Sequence, residues 1–272
     1  MKYILTILFV LSAHASNAQK HTLEKLWETD SIVAVPESAL MDVSKNILYV
    51  SLIDGGGWEA DGKGGIARLK PNGMDYDSTW VTGLNAPKGL GIYGNNLFAA
   101  NINNVTVINI KNAKVEKKIT IDSAFELNDL TVDNKGIIYV SDSRTGKIWK
   151  IENDKPELFL SNMNGLNGLK WANNELYIGA GKSFLKATKQ KQIIKIAEMP
   201  EGIDGIEPIG NGDFILSAWK GYIFYVSAGG NIETLADMHL EKQAADIGYD
   251  AVNRIVFVPT LKAKTVIAYR LN

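Results

Sequence analysis

Glu37, Asn128, Asn167 and Asp204 each lie just upstream of a short apolar run of one type: ILYVS (47–51), IIYVS (137–141), ELYIG (175–179) and FILS (214–217). Two carboxylates and two amide oxygens form a hard, oxygen-only donor set. Ca²⁺ takes roughly six to eight oxygens at about 2.3–2.6 Å, so four protein ligands would leave positions for water and substrate. An open cation of that kind polarises a carbonyl or phosphoryl oxygen and activates bound water. The spacing therefore points to a metal-dependent hydrolase of small molecules, with Ca²⁺ the preferred ion and Mg²⁺, Mn²⁺ and Zn²⁺ left open. Asn167-Gly168 and Asp204-Gly205 also read as ordinary turn dipeptides. The shared repeat position of all four residues favours the metal site over that simpler explanation.

Positioning these side chains needs a repeat. Six anchors, Glu37, Lys88, Asn128, Asn167, Asp204 and Asp246, are spaced 51, 40, 39, 37 and 42 residues apart. Each opens a strand, a turn rich in Asn and Gly, and a second strand; third and fourth strands follow, as in GIARLKP and STWVTGL of the first unit. Six units of four short strands predict an all-β, six-bladed β-propeller of four-stranded blades. The last unit lacks a fourth strand, and the segment Leu23–Val33 has no unit of its own, so it is expected to supply the outer strand of the last blade and close the ring. The anchors then face the axis at one end. The loops on that same face include Leu52–Gly64, with the sequence GGGWEADGKGG, which is long enough to act as a lid.

Composition narrows the function further. Residues 1–18, with Lys2, the apolar run 4–13 and Ser16-Asn17-Ala18, read as a signal peptide, leaving 19–272 as a single exported domain, periplasmic or secreted. No later segment approaches the roughly 20 apolar residues of a membrane span. The net charge is −1 and there is no basic run, which excludes the electrostatic footprint of a nucleic-acid binder and leaves a small molecule as the expected partner. The absence of cysteine excludes disulfides and thiol chemistry. There is no G-x-S-x-G elbow, and GAGKS (179–183) lacks the Gly that a phosphate loop needs at 176, which is Leu.

With these motifs in view, the chain resembles the gluconolactonase, regucalcin and luciferin-regenerating family of six-bladed propellers over most of its length. The resemblance rests on PESALMD (36–42), ELNDLTVDNKGIIYVSDS (126–143), NGLKW (167–171) and DGIE (204–207). It implies that Glu37, Asn128, Asn167 and Asp204 surround a catalytic divalent cation and that Asp204 also serves as the base in lactone hydrolysis. Two departures matter. Ala39 and Met41 stand where the family commonly has Pro and Trp, and Glu126 stands where many members carry the Arg that holds a sugar acid. The resemblance thus implies the cation without implying gluconolactone.

Related propellers with the same ligand types hydrolyse phosphotriesters, which leaves that activity open, as it leaves a non-catalytic binding propeller with a structural metal. Lys88, Glu126 and Trp219 are the candidate substrate residues. Lys88 reads either as a solvated strand-entry lysine or as a cation that neutralises an oxyanion or carboxylate beside the metal. Asp246 is expected to be a satisfied core carboxylate rather than a ligand or a partner of Lys88, and Asp129 to point away from Asn128. His239 serves only if its loop reaches the axis. Trp149, Trp171 and Trp219 are expected to serve blade packing rather than a cage, although Trp219 sits on the rim.

Overall fold

The computed structural model describes residues 21–272; the expected signal peptide, 1–18, lies outside the described residues. The chain is a six-bladed β-propeller of four-stranded antiparallel sheets. After β1 (Leu23–Glu28), the first blade runs through β2 (Pro36–Asp42), β3 (Ile47–Leu52), β4 (Gly64–Leu69) and β5 (Asp77–Leu84). The second has β6 (Pro87–Tyr93), β7 (Asn96–Asn101), β8 (Asn104–Asn109) and β9 (Lys114–Thr120). The third has β10 (Leu127–Val132), β11 (Ile138–Asp142), β12 (Lys147–Glu152) and β13 (Lys155–Leu160). The fourth has β14 (Leu166–Ala172), β15 (Glu175–Ala180), β16 (Ser183–Ala187) and β17 (Ile193–Glu198). The fifth has β18 (Ile203–Gly210), β19 (Asp213–Ala218), β20 (Tyr222–Val226) and β21 (Ile232–Asp237). The sixth takes β22 (Gly248–Asp250), β23 (Ile255–Thr260) and β24 (Thr265–Leu271).

β1 pairs with β24 and completes the sixth blade, so the two ends of the described chain close the ring. It is shorter than the expected Leu23–Val33. The chain bends where Ile32 N–H reaches back to Asp30 O at 2.8 Å, and residues 29–35 form the connection to β2. The Asn- and Gly-rich hairpins behave as their chemistry requires. Asn211 and Gly212, between β18 and β19, both have positive φ, 55° and 81°, which suits the right-handed twist of the flanking strands.

Cohesion comes from between the blades. Six apolar clusters occur, one at each blade-to-blade interface. Tyr49, Ile66 and Trp80 of the first blade meet Leu97, Ala99 and Ile108 of the second, while Val50 and Ala67 meet Phe257 and Ala268 of the sixth. A strand buried on both faces reads as a continuous apolar run, which is why ILYV and IIYV recur. The outer edge shows the reverse pattern. β9, KVEKKIT, is exposed at six of its seven positions, and its lysines discourage edge-to-edge pairing.

The innermost strands β2, β6, β10, β14 and β18 stand side by side around the axis, with the 246–250 segment filling the sixth place. They are brought unusually close. A Cβ on Gly168 would lie 2.0 Å from Asp204 O, and one on Gly205 would lie 2.4 Å from Ile247 N. The two dipeptides that resemble turns are therefore strand residues, and their glycines permit close approach of neighbouring backbones.

Candidate functional site

Glu37, Lys88, Asn128, Asn167 and Asp204 are each the second residue of an innermost strand. Each also sits in the same irregularity. Pro36 faces Leu52 while Ala39 faces Val50, so three steps on β2 match two on β3, and the same shift recurs at Pro87/Leu90, Leu127/Leu130, Leu166/Leu169 and Ile203/Ile206. A bulge of this kind re-aims a side chain. In three blades its freed N–H is met by a serine at the end of the apolar run: Ser38 N donates to Ser51 Oγ (2.9 Å), Asp129 N to Ser141 Oγ (2.9 Å) and Gly205 N to Ser217 Oγ (2.7 Å). These serines are part of the site's scaffold, and the sequence analysis passed over them although they recur in YVS and ILS. The backbone entering Glu37 is also strained, with Val35 at φ 47°, a conformation that a β-branched residue adopts rarely.

The four oxygens expected to bind a cation are distinguished by what they lack. Seven buried side-chain polar atoms have no hydrogen-bond partner among the described residues, and four of them are Glu37 Oε2, Asn128 Oδ1, Asn167 Oδ1 and Asp204 Oδ1. Leaving such a group unmet costs about 1–3 kcal/mol, more for a charged one. Asn128 Nδ2 donates to Ser143 Oγ at 3.0 Å, and the Asn167 side chain lies close enough to Asp204 to lower its carboxyl slightly against the larger effects of burial. Both amide oxygens are left without a donor.

Electrostatics agree with that geometry. Glu37 is pushed up to about 7 by burial, against the opposing charge of Lys88. Asp204 is held well above the usual carboxylate range by burial, then by the charges of Glu37 and Asp246. Both anions are thus disfavoured until a cation joins them. Among the described residues no three His, Cys, Asp or Glu side chains cluster as metal ligands; half of the oxygen quartet is amide.

The other sequence candidates separate cleanly. Lys88 is 5 % exposed, its charge reaches both Glu37 and Asp204, and its Nζ lies 4.2 Å from the ring centroid of Trp58, in the loop expected to be a lid. Glu126 lies on the rim facing Arg144 at 3.9 Å, and Trp219, expected to pack within its blade, is instead 53 % exposed because it sits in the β19–β20 turn. His239 pairs with Asp237 and stacks on Tyr222, which accounts for its ring without the axis. Trp149 is buried between the second and third blades, and Trp171 stacks on Tyr139 at 5.2 Å. GAGKS forms a tight β15–β16 hairpin with Gly181 at φ 57° and no helix to receive a phosphate.

Below the quartet the axis opens into a cavity of about 370 Å³ lined by Asp42, Asp129, Thr131, Lys170, Glu207 and Asp246 among others. Here the polar groups are partnered. Asp129 accepts from Leu130 N and Leu169 N, each at 2.6 Å, and Thr131 Oγ1 accepts from Trp171 N at 3.0 Å, stitching β10 to β14. Ser38 Oγ donates to Asp246, and Lys170 Nζ donates to Glu207 at 2.7 Å. Asp246 is the satisfied core carboxylate that was expected. Asp129 points to this lower cavity and away from Asn128.

The chain shares this fold with proteins of diverse function. It superposes on a gluconolactonase of Xanthomonas campestris with a TM-score of 0.70 and 12% identity, covering 94% of this chain and 96% of that one. A streptogramin B lyase gives 0.68 at 11% identity over 93% and 98%, and a chain of a nidogen/laminin complex gives 0.68 at 13% over 79% and 85%. No protein-family model and no curated sequence matches. At such identities the likeness establishes the six-bladed fold alone.

Proposed function

We propose that this protein is a divalent-cation-dependent hydrolase of a small lactone or ester. The reading is carried by the four unpartnered buried oxygens of Glu37, Asn128, Asn167 and Asp204, which would hold the ion, Ca²⁺ by donor type. The gluconolactonase among the neighbours supports it at the level of fold. When bound, the cation would supply Lewis-acid activation of the scissile carbonyl and of water.

The chain's own part follows from its placement. Asn128, oriented by its amide nitrogen, and Asn167 present neutral oxygens, while Glu37 and Asp204 supply the charge. Asp204, 2 % exposed and with a raised affinity for protons, is suited to take a proton from attacking water. The apolar leader-like run 4–13 supports export to a periplasmic or extracellular space.

The test is a panel of lactones, carboxylic esters and phosphotriesters assayed with metal-loaded and chelated protein. Lactone turnover that disappears on chelation, returns with Ca²⁺ and falls at least about 100-fold in Asp204→Asn is the expected result, the size typical of losing one proton-transfer group. Turnover confined to phosphotriesters would assign the other hydrolase activity. A silent panel in protein that still binds Ca²⁺ would make it a binding propeller with a structural ion.

A further inference from the structure

Lys88 occupies the second of the six anchor positions, on the same bulge that aims the four oxygens, and it is 5 % exposed. Lysines this enclosed are almost always paired. Lys88 makes no ion pair within 4 Å and no side-chain hydrogen bond among the described residues; its contact is the face of Trp58, 4.2 Å away. The charges it feels are Glu37 and Asp204. If those two carboxylates are committed to a divalent cation, two negative charges meet two positive ones and the Lys88 ammonium is left without a counter-ion. The lower carboxylates do not supply one: among the described residues none lies within ion-pair distance of Lys88, and Glu207 is paired with Lys170.

Resting on the metal-hydrolase reading above, we infer that Lys88 and Trp58 form an anion-recognition subsite, so that the substrate is a lactone or ester bearing a second, permanently charged carboxylate or phosphate. The free Nζ–H groups donate to the anion's oxygens in a charge-assisted contact. The Trp58 ring, 38 % exposed on the anchor-face loop, covers the ammonium and shields that contact from water. The loop is shaped for this: Asp61 accepts from Gly56 N at 3.5 Å and Lys63 N at 3.1 Å, folding 56–63 back on itself with Trp58 at its turn. The charge that a sugar-lactone site would place at position 126 is reversed here, since Glu126 is acidic, and the unpaired cation lies instead on the second blade.

Two measurements test this. First, binding of succinate and of inorganic phosphate to the Ca²⁺-loaded protein is followed by calorimetry in wild type, Lys88→Met and Lys88→Arg. At least a ten-fold loss in Lys88→Met with partial recovery in Lys88→Arg is expected, and the stronger of the two anions shows which charged group the site takes. Second, the ratio of kcat/KM for charged to neutral members of matched pairs, γ-butyrolactone with its ring carboxylate and gluconolactone with its 6-phosphate, should fall at least ten-fold in Lys88→Met, mainly through KM, and several-fold in Trp58→Ala. Neutral lactones hydrolysed with no charge preference, and anion binding indifferent to position 88, would overturn the subsite and leave the hydrolase standing. Anion binding that depends on Lys88 in a protein that hydrolyses nothing would uphold the subsite and remove the hydrolase. If Lys88→Met does not fold, Lys88→Arg and Trp58→Ala read the same ratio and the same binding constants.

Discussion

Glu37 and Asp204 at the anchor end of the axis and Asp129 and Asp246 just below them are all buried carboxylates, yet they are treated in opposite ways. In the lower pair both Asp129 oxygens are engaged, by Leu130 N–H and Leu169 N–H, and Asp246 accepts from Ser38 through one oxygen, with Lys170 and Glu207 paired beside them. The upper pair keeps one oxygen each without a partner, matched by two amide oxygens in the same state. Buried polar groups are normally satisfied, so the lower half is what a propeller needs to hold its inner strands together, and the upper half is what a propeller needs only if something else arrives. Residues of similar type are thus partnered within the fold in one place and left with unpartnered oxygens in another nearby.

Removing the cation is expected to expose that contrast most strongly. At Ca²⁺ about 100-fold over its dissociation constant the folded protein should gain about 2.7 kcal/mol, raising Tm by roughly 5–10 °C for a domain of this size. The gain, read by calorimetry, should vanish in Asp204→Asn and Asn128→Ala; a Tm indifferent to Ca²⁺ would end the distinction between the halves. Lys170→Met should instead cost about 3 kcal/mol with or without Ca²⁺, because it strands Glu207 as a buried charge. Asp129→Ala leaves two inner-strand N–H groups unmet and should cost about 2 kcal/mol by chemical denaturation.

Protons sharpen the comparison in the chelated protein. Asp246 is pushed up to about 8 and Glu37 to about 7, each by burial first, from ordinary values near 4. Both groups bind protons more tightly folded than unfolded, so their stabilising contribution is greatest at low pH and is lost as pH rises from about 4 toward 8. A chelated-protein Tm that climbs over that window would contradict these environments. Glu126→Ala, on the rim, should change stability by no more than about 0.5 kcal/mol.

Much of this was legible in the chain because a repeat multiplies weak signals. One Asn-Gly or Asp-Gly is an ordinary turn dipeptide, but four oxygen-bearing residues at one repeat position identified the quartet, and the recurring ILYV-type runs identified strands buried on both faces. The closing strand was anticipated from the missing fourth strand of the last unit, though its end was placed five residues too far, because the Asp30–Ile32 bend depends on contacts with the sixth blade. The bulge at each anchor and the serines that patch it went unread, since a three-against-two register is a property of two strands together. The stacking of Trp58 on Lys88 was equally invisible, as nothing local to residue 58 says where its loop folds.

The sequence by itself determined the number of blades, the closure of the ring and the residue type at five of the six axial positions, because those follow from period, alternation and turn chemistry carried within each unit; Asp246, expected as the sixth anchor, instead lies level with Ser38, and Ala245 holds the place equivalent to Glu37. Only the tertiary structure decided which polar groups are satisfied. Asp129 and Asp204 differ little as sequence, one beside an anchor and one an anchor itself. The bulge leaves one accepting from its own strand at Leu130 N–H and from the neighbouring inner strand at Leu169 N–H, and the other at a place where no donor among the described residues meets its Oδ1. Whether a buried carboxylate binds the fold or binds a ligand is settled by partners from other blades, and those partners are assembled only when the ring closes.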